Sequence, residues 1–238
     1  NLEDHREAND YLVKIENTTT TTQVHFVGNE IGNGKNGTFY FDGGNGIVIS
    51  GNTDTKSRGN FITFGLKQDL TNTIISDNVF RPIIVDTDGN ILTDEASFIV
   101  INGKEGSYSR FVGQFIVANN VANLLGGYFL RMYNTRLTQG AVVDNHGDVS
   151  SSAEFWADKS DFSMIRFSGT VEYLRSVRIS GNTMRGRANV SRGFEITPKE
   201  YAGVIISENI SREMTGNDIL PTASSGVIVR DNLKLSIN

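Results

Sequence analysis

Four charged residues sit where the alternation of a β-strand would bring them to one face of a sheet: Arg131, Arg166, Glu195 and Asp218. The first three lie between apolar partners, Leu130 and Met132, Ile165 and Phe167, Phe194 and Ile196, and Asp218 precedes Ile219. Arginine forks bind carboxylates through two parallel N–H···O bonds, and the faces of Tyr133 and Trp156 could cover sugar rings. That grouping suits an acidic or hydroxyl-rich glycan. Glu195 and Asp218 on successive strands would stand about 5 Å apart, the spacing of a retaining glycosidase pair, whereas a longer gap would suggest inversion. In that reading Arg166 keeps Glu195 ionised, and Asp218 or Glu154 is the proton donor. Charge pairing between neighbouring strands would produce the same ladder without any catalysis.

Such a face exists only if distant parts of the chain lie side by side, and a repeated phrase supplies the reason to expect it. Gly46-Ile47-Val48-Ile49-Ser50-Gly51-Asn52 reads as a short strand with apolar residues at alternate positions, closed by a bend at an asparagine. The phrase returns at Asn29, Asn78, Asn120, Asn145, Asn182, Asn209 and Asn232, each with an apolar residue three places earlier. Successive asparagines are 23, 26, 42, 25, 37, 27 and 23 residues apart. A period of about 20–30 residues with two longer intervals marks a solenoid with loop insertions. One strand per circuit cannot bury its inner face alone, so it stacks on the strand above at about 4.8 Å. The asparagine is expected to take the left-handed conformation of the bend, and its amide to satisfy polar groups inside it. A β-sandwich has no reason to repeat one phrase in fixed register.

A second strand precedes each asparagine strand. Its apolar pairs are Val13/Ile15, Phe39/Phe41, Ile62/Phe64, Ile99/Ile101, Leu130/Met132, Ile165/Phe167 and Phe194/Ile196, with Ile219 as a weak last member. The residues between them predict an outward column: Lys14, Tyr40, Thr63, Val100, Arg131, Arg166, Glu195, Asp218. The fold expected is all-β, a right-handed parallel β-helix of about eight coils with loop insertions, one domain over residues 1–238. The chain opens mid-pattern at Asn1, as a piece of a longer protein would.

The loops differ. Residues 81–97 read as a hairpin around Asp86-Thr87-Asp88-Gly89. Asp86, Asp88 and Asp94 there read as a solvated hairpin before a metal site. Residues 145–163 form the longest insertion and hold His146, Asp148, Glu154, Trp156, Asp158 and Asp161. Trp156 serves equally to cap that loop or to stack on sugar. Arg185, Arg187 and Arg192 read as a solvated basic loop, and His25 as a surface residue. The five threonines Thr18 to Thr22 read as an edge or third strand.

Composition narrows the classes further. Of 238 residues, 25 are glycine and only 3 proline, as many short strands and turns require. A net charge of −5 argues against a dedicated nucleic-acid binder. No apolar run reaches membrane-spanning length. There is no cysteine, hence no disulfide or thiol chemistry, and three scattered histidines do not make a zinc site. No cofactor and no metal are expected.

The phrases ending Ser50-Gly51-Asn52, Ser76-Asp77-Asn78, Ser180-Gly181-Asn182, Ser207-Glu208-Asn209 and Arg230-Asp231-Asn232 resemble those of the pectate-lyase-like family of right-handed parallel β-helices. The likeness runs along essentially the whole chain. That family includes pectin lyases and hydrolases, alginate-modifying enzymes, adhesins and bacteriophage tailspikes. The aromatic interior, absent cysteines and irregular loops look most like a tailspike or tail-fibre segment. The resemblance implies a homotrimer, on the virion or otherwise extracellular, that binds and depolymerises bacterial surface polysaccharide. It leaves two alternatives, a non-catalytic adhesive or structural shaft and a secreted polysaccharide lyase or epimerase. The catalytic motifs of pectate lyases are not matched, so calcium-dependent lyase chemistry is not carried over.

Overall fold

A computed structural model of the chain describes residues 11–16, 23–32, 34–84, 87–88, 96–103, 110–149, 162–167, 170–186, 192–224 and 226–235. Asn1, the threonine tract, Asp86, Asp94, Glu154, Trp156, Asp158, Asp161 and Arg187 lie outside the described residues. The described residues are all-β, and their named strands pair in parallel in three sheets, an arrangement consistent with a β-helix solenoid.

The first sheet stacks Val13–Ile15, Gly37–Phe41, Asn60–Gly65, Ile99–Asn102, Leu130–Tyr133, Ser163–Phe167 and Arg192–Ile196. The second runs through Val24–Val27, Ile47–Ser50, Leu70–Ser76, Arg110–Ala118, Thr135–Val143, Tyr173–Ser180, Val204–Ser207 and Val227–Arg230. The third is made of short strands that begin just after each asparagine, from Glu30–Ile31 to Leu233–Leu235. The chain visits the sheets in rotation, so each strand pairs with the strand one circuit earlier and one circuit later.

The apolar pairs face inward as their period-two spacing predicts. From Phe39 to Ile196 every member is buried, and each contributes about 1.5–3 kcal/mol of transfer free energy. Where the chain enters the first sheet, rings stack from circuit to circuit. Phe61 and Phe98 are 5.3 Å apart and nearly parallel, and Phe98 and Phe129 are 5.0 Å apart.

The eight asparagines form one continuous ladder inside the bend between the second and third sheets. Asn120 illustrates the pattern. Its backbone N–H and its Nδ2 both donate to Asn145 Oδ1 at 3.0 Å. Its Nδ2 also donates to the Ile75 carbonyl at 2.9 Å. Its own Oδ1 accepts the two bonds from Asn78. The same relay links Asn29, Asn52, Asn78, Asn120, Asn145, Asn182, Asn209 and Asn232. Both amide hydrogens and both acceptor sites of an interior member are therefore used.

The backbone role expected of asparagine falls instead on the residue before it. Gly28, Gly51, Asp77, Asn119, Asp144, Gly181, Glu208 and Asp231 all have φ between 54° and 70°. The left-handed residue turns the chain, and that turn swings the following asparagine inward. A second left-handed column lies five residues before the first, in the second sheet: Gly46, Asn72, Gln114, Gln139, Ser176 and Gly203. There the strand alternation breaks and restarts.

The ladder sets a clear expectation for two variants. Asn120→Asp keeps the shape but removes the Nδ2 donor and sets a carboxylate against the Ile75 carbonyl. It should cost about 3 kcal/mol or more in urea unfolding. Glu208→Gly, at a left-handed position, should be neutral or stabilising by about 0.5–1 kcal/mol.

Candidate functional site

The outer face of the first sheet carries the predicted column almost to its end. Lys14 pairs with Tyr40, Tyr40 with Thr63, Thr63 with Val100, Val100 with Arg131, Arg131 with Arg166 and Arg166 with Glu195. Tyr133 lies two residues from Arg131 on the same face, paired with Asn102.

Arg131 is the centre of an aromatic cluster. Its guanidinium carbon lies 4.8 Å from the Tyr128 ring centroid and 4.7 Å from that of Tyr133. The Tyr128 ring in turn lies 4.8 Å from Phe162, which is buried. Rings this close hold the guanidinium by cation–π attraction and leave its N–H donors unspent. Arg131, Tyr128 and Tyr133 are all half-buried. Tyr128 is absent from the sequence-derived set. Its signal is a three-residue offset from Arg131 across the corner at Phe129, where the simple alternation does not hold.

Glu195 is differently placed. It sits in the outward register yet is only 8% exposed. Its Oε1 is 3.2 Å from Arg166 Nε, and its Oε2 is 4.0 Å from Arg192 and accepts a 3.0 Å bond from Ser163 Oγ. Arg192, read as part of a solvated loop, is thus drawn into this ion network. Arg185 pairs with Glu213 at 2.9 Å, and this hydrogen bond and charge hold its guanidinium proton more tightly than usual.

The end of the column needs correction. The residue opposite Glu195 is Ile219, not Asp218. Asp218 Oδ1 accepts the backbone N–H groups of Gly193 and Phe194, each at 2.9 Å, and Oδ2 accepts Ser211 Oγ at 2.5 Å. In an earlier circuit the N–H groups of Phe61 and Ile62 donate to the Ser97 and Phe98 carbonyls, which lead into the next first-sheet strand. Asp218 takes that place beside Arg192–Ile196, the last strand of the first sheet, and covers part of its open edge. The physical reason for the displaced column is that, among the described residues, no further first-sheet strand follows Arg192–Ile196. The backbone pairs with the sheet there through the isolated bridge at Ile219, beside the Asp218 side-chain bonds.

The two carboxylates therefore have structural partners of their own, and the face they were expected to share holds one of them. Arg131 and Arg166 do lie side by side as the spacing required, with Tyr133 adjacent. Among the described residues no group of three or more histidine, aspartate or glutamate side chains could hold a metal ion. His25 is exposed on the outer face of the second sheet, far in register from any acid of this column.

No protein-family model, curated protein or solved structure matches this chain.

Removing Asp218 should act on stability. Asp218→Ala leaves two edge N–H groups to water and should lower the unfolding free energy by about 1–2 kcal/mol. Glu195→Ala strands Arg166 beside a vacated site and should cost about 2–3 kcal/mol. Thermal and urea unfolding of the two variants checks both values.

Proposed function

We propose that the chain is a right-handed parallel β-helix of about eight coils, of the pectate-lyase-like, tailspike type, whose first sheet binds an acidic polysaccharide of a bacterial surface. The observation that carries this reading is Arg131 with its guanidinium within 5 Å of both the Tyr128 and Tyr133 rings, in register beside Arg166. An arginine fixed in this way presents a planar fork to a sugar carboxylate at little further cost in side-chain entropy. The adjacent tyrosine rings supply apolar faces and hydroxyls for the ring that carries it. A homotrimer displayed on a virion or otherwise outside the cell is the setting the resemblance implies for such a surface.

The geometry favours binding over cleavage at the pair first singled out, because Glu195 is locked in an ion network and Asp218 covers a strand edge. A depolymerase would draw its acids from elsewhere on the assembly, and the adhesive reading needs none.

The test is binding of acidic capsular and O-antigen polysaccharides by calorimetry, with new reducing ends and absorbance near 235 nm followed in parallel. Arg131→Ala should weaken the complex at least 10-fold, with a smaller loss for Arg131→Lys, which keeps the charge but not the fork. Binding that is indifferent to both variants would remove this face from the reading. Reducing ends without absorbance would mean hydrolysis, and both together would mean a lyase. Cleavage lost in folded Glu195→Gln and Asp218→Asn variants would restore that pair to catalysis.

A further inference from the structure

The outer face of the second sheet carries a groove that the first-sheet reading does not use. It has a volume of about 330 Å³ and is lined by Asn72, Ile74, Gln114, Ile116 and Gln139. Two parallel columns make it. One is aliphatic: Val48 pairs with Ile74, Ile74 with Ile116, and Ile116 with Ala141. Ile74 and Ile116 are each 38% exposed. The other is a column of amides at the left-handed positions Asn72, Gln114 and Gln139, with φ of 50°, 50° and 56°. Both columns repeat at the strand spacing, about 4.8 Å.

The amide column is chemically odd. Toward either end the same column uses glycine, Gly46 and Gly203, the residue that left-handed backbone favours. Between them it uses Asn72, Gln114, Gln139 and Ser176. Glutamine gains nothing there that would offset the conformation, since its longer side chain makes no short local bond to its own backbone. Asn72 Nδ2 donates to Asn45 Oδ1. Neither the Gln114 nor the Gln139 amide is hydrogen-bonded to a described residue. Strained backbone that presents polar groups along a groove marks a binding surface. Beside it the Phe111 ring lies over Gly113, where a Cβ would come within 2.6 Å of the ring. The lining residues are uncharged. Charge returns one circuit further on, at Arg178, which pairs with Ala141.

We infer that this groove binds an extended, uncharged glycan built from 2-acetamido sugars. An acetamido group is a planar amide that ends in a methyl. The amide N–H and C=O match a glutamine or asparagine amide, and the methyl fits against an isoleucine beside it. The two columns offer that pair of contacts on successive circuits, so one polymer lying along the stacking direction meets it repeatedly. The site is on a different sheet from Arg131 and stands or falls without it.

The experiment titrates the whole chain with hexamers of N-acetylglucosamine and of N-acetylgalactosamine, and with the same hexamers after deacetylation, by calorimetry. At least one acetylated hexamer should bind at least 10-fold tighter than its deacetylated form. The double variant Gln114→Gly, Gln139→Gly should lose at least 10-fold in affinity while its thermal midpoint stays the same or rises, because glycine suits both positions. Arg131→Ala should leave this affinity unchanged, which separates the groove from the first-sheet face. Three outcomes overturn the inference: no binding of either hexamer at millimolar concentration, equal binding after deacetylation, or unaltered binding by the double variant. Self-association that Ile116→Lys abolishes would assign the face to a second copy and overturn it as well.

Discussion

The buried asparagine ladder is the constraint from which the rest follows. A bend taken once per circuit leaves a carbonyl and an N–H facing the interior each time, and buried groups of that kind cost several kcal/mol when unpaired. Asparagine meets the need with one short side chain that has two donors and an acceptor with two sites. Aspartate lacks the donors, serine has one, and glutamine is a methylene too long for the same reach. Because each Oδ1 accepts from the asparagine below, every circuit must return its bend to the same place. Intervals of 23 and of 42 residues are spanned by the same pair of bonds to Oδ1 at 2.9–3.0 Å. Length variation is expelled into the loops, and the sheets between them keep a common register.

Common register turns sequence into surface. On the first sheet it assembles Arg131, Arg166 and Glu195 one above another, and the three then differ by what surrounds them. A buried ion pair is weak evidence of stabilisation, since desolvation cancels most of the attraction. Glu195 with Arg166 and Arg192 is therefore read as a fixed local network rather than as a source of stability. Arg131 has two tyrosine rings within 5 Å of its guanidinium carbon, which displaces water from that group while its N–H donors stay polar. Of the two arginines it is the one set against aromatic rings and, among the described residues, not against a counter-charge, and that is why the binding reading rests on it.

How much of this was legible depends on what each residue type could mean. The apolar pairs were readable because period two has a single reading once one face is buried. The column from Lys14 to Glu195 followed from it without error. It failed at Asp218 because the Gly216-Asn217-Asp218 run never becomes a strand, and counting outward positions requires one. The asparagine was given the left-handed backbone of its neighbour, since Gly, Asp, Asn and Glu before it look like ordinary turn fillers. Tyr128 was missed because it lies beyond the Phe129 corner. Glu154 and Trp156 fall outside the described residues, so their expected roles at the first-sheet face have no structural counterpart here.

The two left-handed columns differ in what supports them. Before each ladder asparagine, φ near 55–70° is repaid by the relay that the following side chain completes. Even Glu208, a poor residue for that conformation, is tolerated there because the bend it makes delivers Asn209 to Asn232. The second column has no such relay: it lies in the midst of a sheet, and its side chains face out. A non-glycine residue in this region costs about 1–2 kcal/mol, and nothing buried depends on which side chain is present. Glycine at Gly46 and Gly203 shows that the backbone itself is content without one. Asn72 has a partner within the fold, since its Nδ2 donates to Asn45 Oδ1, whereas the Gln114 and Gln139 amides are not hydrogen-bonded to a described residue, which is the contrast the groove inference builds on.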